Sequence, residues 1–208
     1  DVVLCEKDSE LGGALKVACV PIGKQDLCQV IKWMRHRLEK ENVNIQTNTN
    51  VTLELLKTKF KDYEVIVSTG AKPLIINAFT QFKQWMSADD VLAGRAFPGR
   101  KIVIIGGGSV GCETADYLAP LINDRFPRNR DVTVIEMAQE VMMNESGPGR
   151  SLLVQRMMKK GVKILVNTKV VAVEKDKIKY LQNGVEGVID DADNLIFACG
   201  YQTDPAFE

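Results

Sequence analysis

The stretch that most constrains this chain is Lys101 to Leu118, KIVIIGGGSVGCETADYL. Its first five residues, Lys101 to Ile105, are rich in β-branched side chains and predict a strand buried on both faces. They run directly into Gly106-Gly107-Gly108-Ser109-Val110-Gly111, a G-x-G-x-x-G run. A helical pattern opens next, with Val110, Thr114, Tyr117 and Leu118 at helix-compatible spacing. Each motif glycine has a mechanical task. Gly106 permits a tight turn, Gly108 lets the backbone approach a pyrophosphate, and Gly111 lets helix and strand pack closely. The N–H groups of the first helical turn then face an anion, with the positive end of the helix dipole behind them.

A second strand is expected over Asp131 to Ile135, with Glu136 at its carboxyl end. An acid in that position accepts hydrogen bonds from both hydroxyls of an adenosine ribose. The gap from Gly111 to Glu136 exceeds the usual ~20 residues. Pro120 to Arg130, with two prolines and four charges, accommodates the excess as an extended loop. A glycine-rich turn and an ordinary surface Glu would explain either feature alone. Strand, glycine loop, helix, second strand and acid in that order define a dinucleotide-binding unit.

The 208 residues suffice for one large domain or two small ones. Lys+Arg and Asp+Glu number 27 each, which removes the electrostatic reason to expect nucleic acid or an anionic membrane as partner. No apolar run approaches the ~20 residues that span a bilayer, and the start carries no signal-peptide pattern. Asp1 opens in what reads as mid-strand, as expected of a piece of a longer protein. The five cysteines, Cys5, Cys19, Cys28, Cys112 and Cys199, form no C-x-x-C and no cluster. That spread argues against a redox disulfide, a zinc ribbon or an iron–sulfur cluster within these residues and fits a reduced, cytoplasmic protein. Cys112 and Cys199 read as small buried hydrophobes.

From the start of the chain, Asp1 to Glu6 reads as an apolar strand ending in an acid, and Leu11-Gly12-Gly13 follows. Residues 25 to 41 predict an amphipathic helix with Leu27, Val30, Ile31, Met34 and Leu38 on one face and His36, the sole histidine, on the solvated one. Val43 to Gln46 is a short strand, Thr52 caps a brief helix, and Tyr63 to Thr69 is expected to be a buried strand ending at Gly70. Lys72 to Gly99 loses the alternation, except for a helix that Ser87 and Asp90 would cap through Val91 and Leu92. After a loop to Arg150, a helix spans Ser151 to Lys160 on Leu153, Val154, Met157 and Met158, and Val162 to Val166 is a strand. Val170 to Glu174, Ile178 to Leu181 and Val185 to Ile189 form an antiparallel meander, with Asn183-Gly184 as its hairpin signal. Asp193 to Gly200 repeats the strand-to-glycine ending of Glu64 to Gly70, so two related α/β halves are expected.

Together these residues resemble the two-dinucleotide-domain flavoprotein family of glutathione reductase and thioredoxin reductase. The matching signatures are GGGSVGCETA (106 to 115), VIVSTGAKP (65 to 73), LIFACGYQTD (195 to 204) and LGG (11 to 13). LGG with PIGKQD (21 to 26) and SADDVL (87 to 92) is similar to the carboxyl-terminal region of the branch containing 2,4-dienoyl-CoA reductase, enoate reductase and trimethylamine dehydrogenase. The resemblance implies a Rossmann-like α/β fold with a parallel sheet, helices and an antiparallel meander. Residues 1–85 would be the middle of an FAD-binding domain and 86–208 an NAD(P)-binding domain. The FAD half's own glycine loop would precede Asp1, as would a catalytic barrel carrying FMN and an iron–sulfur cluster, and its closing segment would follow Glu208. Absence of C-x-x-C sets the chain apart from thioredoxin reductase.

By the same resemblance, Gly106 to Gly111 would hold the pyrophosphate of NAD(H), Glu136 its adenosine ribose, and Gly200 would belong to the same site. NADPH is less expected, because no arginine follows Glu136, and Arg128 and Arg130, just before the strand, read as loop charges facing solvent. Glu113 would lie near the nicotinamide, although a first-turn acid favoured by the helix dipole is an equal reading. Glu6, with Lys7 beside it, would bind the adenosine ribose of FAD, and Leu11 to Gly13, Val51 and Thr69-Gly70 would line its track. The implied function is the NAD(H)-binding portion of a flavin-dependent oxidoreductase that passes hydride from nicotinamide to FAD, inactive as an isolated piece. The alternatives are a non-catalytic module holding ADP or NAD and an electron-transfer subunit of a larger flavoprotein.

Overall fold

The computed structural model describes residues 1–120 and 130–203. It divides into two compact units, one of Asp1–Ala71 together with Thr203, the other of Lys72–Gln202. The division falls earlier than the expected boundary at 85/86. Phe82 is buried in the second unit's core, and Trp85–Ser87 is a strand of its sheet. The expected loop from Pro120 to Arg130 lies, apart from its ends, outside the described residues, as does Arg128.

The first unit contains β1 (Val3–Cys5), α1 (Leu15–Ala18), α2 (Leu27–Lys40), β2 (Asn44–Gln46) and α3 (Leu53–Thr58), with β1 and β2 paired in parallel. On α2, Leu27, Ile31 and Leu38 are half-buried as expected, but Val30 and Met34 are 36% and 47% exposed. His36 is exposed. Thr52 caps α3, its Oγ1 accepting the Leu55 N–H at 3.2 Å. Two further expectations fail in this unit. Tyr63 to Thr69 is not a strand, and Val65, Ile66 and Val67 are 46%, 88% and 51% exposed. A β-branched run fits a pleated surface, but only a neighbour with free N–H and C=O groups makes it a strand, and no described strand pairs with it. Cys19 and Cys28 are joined in a disulfide, contrary to the all-thiol reading. Cys19 is the C-cap of α1 and Cys28 lies in the first turn of α2, so the short loop between them brings together residues that no sequence motif links.

The second unit runs β3 (Ala71–Pro73), β4 (Trp85–Ser87), α4 (Ala88–Leu92), β5 (Lys101–Ile105), α5 (Ser109–Leu118), β6 (Asp131–Ile135), α6 (Pro148–Lys159), β7 (Lys163–Leu165), β8 (Thr168–Val173), β9 (Ile178–Gln182), β10 (Val185–Ile189), β11 (Asn194–Phe197) and β12 (Tyr201–Thr203). Its centre is a parallel sheet ordered β4-β11-β5-β6-β7. Alternate residues of β5 serve opposite faces. Ile102 and Ile104 pack with α4, α5 and α6, while Val103 and Ile105 pack with Val170, Val173 and Ile178 of the meander. The expected irregular stretch 72–99 thus contains an edge strand, β4, whose partner β11 lies more than a hundred residues along the chain. β3 and β12 pair with each other.

The local signals act as expected. Ser87 Oγ accepts the Asp90 N–H at 3.0 Å and caps α4. Asn183 and Gly184 both take positive φ, 49° and 83°, the conformation of a type I′ hairpin turn. Helix α6 begins ahead of Ser151, with Pro148 in a first turn whose N–H groups have no intrahelical partner anyway. Leu153 and Met157 are buried, but Met158 is 66% exposed.

Helices α5 and α6 are tied by a buried charge. Asp116, 1% exposed, accepts hydrogen bonds from Arg156 Nε at 2.9 Å and pairs with Lys160 Nζ at 2.9 Å. Lys160 also donates to the Asp116 carbonyl at 2.7 Å, with its side chain 3% exposed. Asp116→Ala leaves that ammonium buried without its carboxylate. The expected cost is about 3–5 kcal/mol in urea unfolding, and a loss below about 1 kcal/mol would show that the pair does not hold α5 to α6. Amide exchange is expected to be slowest in β11 and in Ile102–Ile105 of β5, whose side chains are buried, and early throughout the first unit, where among the described residues Cys19 and Phe60 are the only buried hydrophobic ones.

Candidate functional site

The glycine turn joins β5 to α5 at the carboxyl edge of the sheet. Gly106 has φ 104° and donates its N–H to Ile135 O at 2.9 Å; a Cβ there would sit 2.2 Å from the Ala198 carbonyl oxygen. A Cβ on Gly111 would lie 1.9 Å from the Gly106 carbonyl oxygen. These two glycines therefore exist for backbone-to-backbone packing. Gly108, the N-cap of α5, is different: a Cβ there meets nothing within 4 Å. It opens on the space before the helix, where no side chain caps the first-turn N–H groups. Gly107, an x position of the motif, proves equally constrained, since a Cβ would come within 2.8 Å of Glu136 Cβ and Val141 Cγ1.

Glu136 stands one residue past β6 and faces the turn. Its Oε2 accepts the Gly107 N–H at 2.6 Å and its Oε1 the Ala138 N–H at 2.8 Å. Each carboxylate oxygen keeps lone-pair capacity for a further donor. Met142 donates its N–H to Gly107 O at 2.8 Å, and Ser109 Oγ donates to Glu145 Oε1 at 2.6 Å, so the 141–145 segment is bound to the turn. Arg130 is at the other end of β6, where it donates to Pro98 O at 3.3 Å. The five residues of β6 separate it from Glu136, six extended steps or roughly 20 Å.

The first unit repeats the acid's setting. Glu6 donates its N–H to Gln46 O, accepts the Thr49 N–H on its carbonyl, and takes the Asp8 N–H on Oε1 at 2.9 Å, while Asn48 (φ 53°) donates to Asp8 O. Glu136 has the same four bonds, from itself to Leu165 O, from Thr168, from Ala138 and from Asn167 (φ 50°) to Ala138 O. Beyond the two acids, the sequence carries this repeat in the paired runs VNIQTNT (43–49) and VKILVNT (162–168). Lys7 is exposed within this turn. Gly12 and Gly13 take φ 125° and 44°, which non-glycine residues rarely adopt, and Leu11 is half-buried beside them. Val51 follows Thr49 closely, whereas Thr69 and Gly70 (φ 74°) lie in the exposed segment that failed to form a strand.

Glu113 lies on α5, half-buried, one turn beyond Val110. Cys112 behind the turn is fully buried and donates to Gly107 O at 3.4 Å. Burial first, then the charges of Glu136 and Glu113, push its thiol up to about 12, so it is not a thiolate nucleophile near neutrality. Burial also raises Cys199, which sits between Ala198 and Gly200. Gly200 (φ 99°) ends the β11 passage, and Tyr201 after it donates to Asp89 Oδ1 at 2.7 Å, a contact that no motif announced.

Strand, glycine turn, helix and acid of this geometry define a nucleotide-binding α/β unit. Residues 52–208 match the pyridine nucleotide-disulphide oxidoreductase family, and the chain belongs to it. Among curated relatives, it is 30% identical over 202 residues to bilirubin reductase of Mediterraneibacter gnavus, covering 96% of this chain and 30% of that protein. It is also 30% identical over 204 residues to cinnamate reductase of Clostridium sporogenes, covering 96% and 29%. The chain thus spans less than a third of the length of either. The structure of a 2-naphthoyl-CoA reductase superposes with a TM-score of 0.86 at 23% identity, covering 98% of this chain and 30% of that one. Among the described residues, no helix is long and apolar enough to cross a membrane.

The glycines make opposite demands. Gly111→Ala is expected to destabilise the second unit by about 3 kcal/mol or more, since backbone must move to admit the methyl. Gly108→Ala is expected to cost no more than about 1 kcal/mol. Thermal unfolding of both variants checks this, and equal losses would show that the turn does not pack as described.

Proposed function

We propose that this chain is the NAD(H)-binding portion of a flavin-dependent oxidoreductase of the enoate or dienoyl-CoA reductase type. Its glycine turn Gly106 to Gly111 would receive the pyrophosphate, Glu136 the adenosine ribose, and Glu113 and Gly200 the nicotinamide side. One observation carries the reading: Glu136 is already oriented at the turn, with one oxygen on Gly107 and the other on Ala138. The open face of Gly108 and the uncapped start of α5 fit an anionic group. The matching turn at Glu6 supports an FAD ribose there, with Lys7, Leu11 to Gly13, Val51 and Thr69-Gly70 as further FAD contacts in the intact protein. When bound, the nicotinamide supplies hydride and the flavin accepts it. The residues here contribute binding and orientation. A barrel with FMN and an iron–sulfur cluster elsewhere in the protein, and a cytoplasmic setting, belong to the same proposal. The setting rests on the use of NAD(H) rather than on the cysteines, two of which are bridged.

Anaerobic addition of NADH to the intact protein tests this. Flavin bleaching is expected; unbleached flavin with nucleotide bound would favour the structural ADP or NAD module instead. Calorimetry on the same protein is expected to show NADH or NAD⁺ preferred to the 2′-phosphorylated forms by tenfold to a hundredfold, about 1–3 kcal/mol. Glu136 repels a 2′-phosphate, and Arg130 is held at the far end of β6. Equal affinities would show that Glu136 does not meet the ribose.

A further inference from the structure

The glycine turn has two sides. Glu136 follows β6 on one side, and Gly200 and Tyr201 follow β11 on the other. The order of strands reverses between β5 and β11, which is where ligands of open α/β sheets bind, outside the carboxyl ends. A dinucleotide held at the turn with its adenosine at Glu136 therefore sends its other ring toward β11.

On that side lies a small slot. Its walls are apolar, formed by Ala88, Val110, Phe197, Ala198 and Gly200, and its polar groups are Asp89 and Tyr201. The cavity measures only about 10 Å³, no more than a single water occupies. Tyr201 and Asp89 both line it and are bonded to each other, the Tyr201 hydroxyl donating to Asp89 Oδ1 at 2.7 Å, with nearly half of the tyrosine's surface facing solvent. Burial foremost, then Asp89 and Glu113, raise the phenol well above its usual value, so it remains a donor at any ordinary pH. Glu113 projects from the same face of α5 as Val110. A flat, uncharged-to-cationic aromatic ring suits apolar walls with an acidic rim, but the slot as it stands does not admit one.

We propose that the Tyr201–Asp89 hydrogen bond is a latch across the slot for the pyridine ring, and that Tyr201 thereby sets how strongly a nucleotide bearing nicotinamide binds relative to one without it. This rests on the dinucleotide reading of the glycine turn. The ring enters only after Tyr201 leaves Asp89, so the cost of breaking that bond is subtracted from the affinity of NAD⁺ and not from that of ADP-ribose, which carries the pyrophosphate but no pyridine.

The test is calorimetric titration of the intact protein with NAD⁺ and with ADP-ribose. In Tyr201→Phe, which keeps the ring and removes the donor, NAD⁺ is expected to bind about three- to tenfold tighter, with ADP-ribose unchanged. Asp89→Asn, which weakens the acceptor, is expected to give a smaller gain of the same sign. Unchanged NAD⁺ affinity, weaker NAD⁺ binding, or an equal shift for both nucleotides would each overturn the latch. Those results leave the glycine-turn reading standing. If neither nucleotide binds the unaltered protein, the glycine-turn reading fails, and the latch with it.

Discussion

The second unit depends on a contact between pieces of backbone. Gly106, Gly111 and Ala198 bring the end of β5, the second residue pair of α5 and the end of β11 to distances at which no Cβ fits. Everything chemical in the unit is placed by that approach. It fixes the start of α5 relative to the sheet, lets Cys112 bury its thiol against Gly107 O, and leaves Gly107 N–H available to Glu136. The ion pair between Asp116 and Lys160 then holds the other end of α5 to α6. The helix is thus fixed at both ends, by atoms too close to move apart cheaply at one and by a buried charge at the other.

The acid turns show the same economy. Glu6 and Glu136 each receive a backbone N–H from two residues ahead, and each is locked to the turn that follows the neighbouring parallel strand, through an Asn in the left-handed region and a Thr. A carboxylate fixed by backbone donors loses little side-chain freedom when it meets a ligand hydroxyl. The two units therefore present the same prepaid geometry on different surroundings, and what differs between them is the residue that fills the space around it.

Features whose causes are local were legible in the sequence. The glycine turn, the Ser87 cap, the Asn183-Gly184 hairpin and the acids at Glu6 and Glu136 each follow from a few neighbouring residues. Features whose causes are distant were not. Tyr63 to Thr69 has a strand's composition, but a strand also needs a partner, and composition does not report one. Trp85–Ser87 is too short to show periodicity and becomes a strand only because β11 passes beside it. Tyr201 and Asp89 meet across more than a hundred residues, and neither belongs to a spacing pattern. The packing constraint on Gly107 is hidden for a subtler reason: the residue fills a motif position that tolerates any side chain until the acid opposite comes within 2.8 Å.

The bridge between Cys19 and Cys28 gives the first unit a property that the second lacks. It closes a loop of nine residues' separation between α1 and α2, and a closure of that size restrains the unfolded chain by about 2–3 kcal/mol. In the second unit the thiols of Cys112 and Cys199 are not bridged, and its order owes nothing to oxidation. Thiol-rich surroundings would loosen one unit and leave the other as it was, so the two halves of this chain report on different variables of their environment, one on its electron potential and the other only on temperature and solvent.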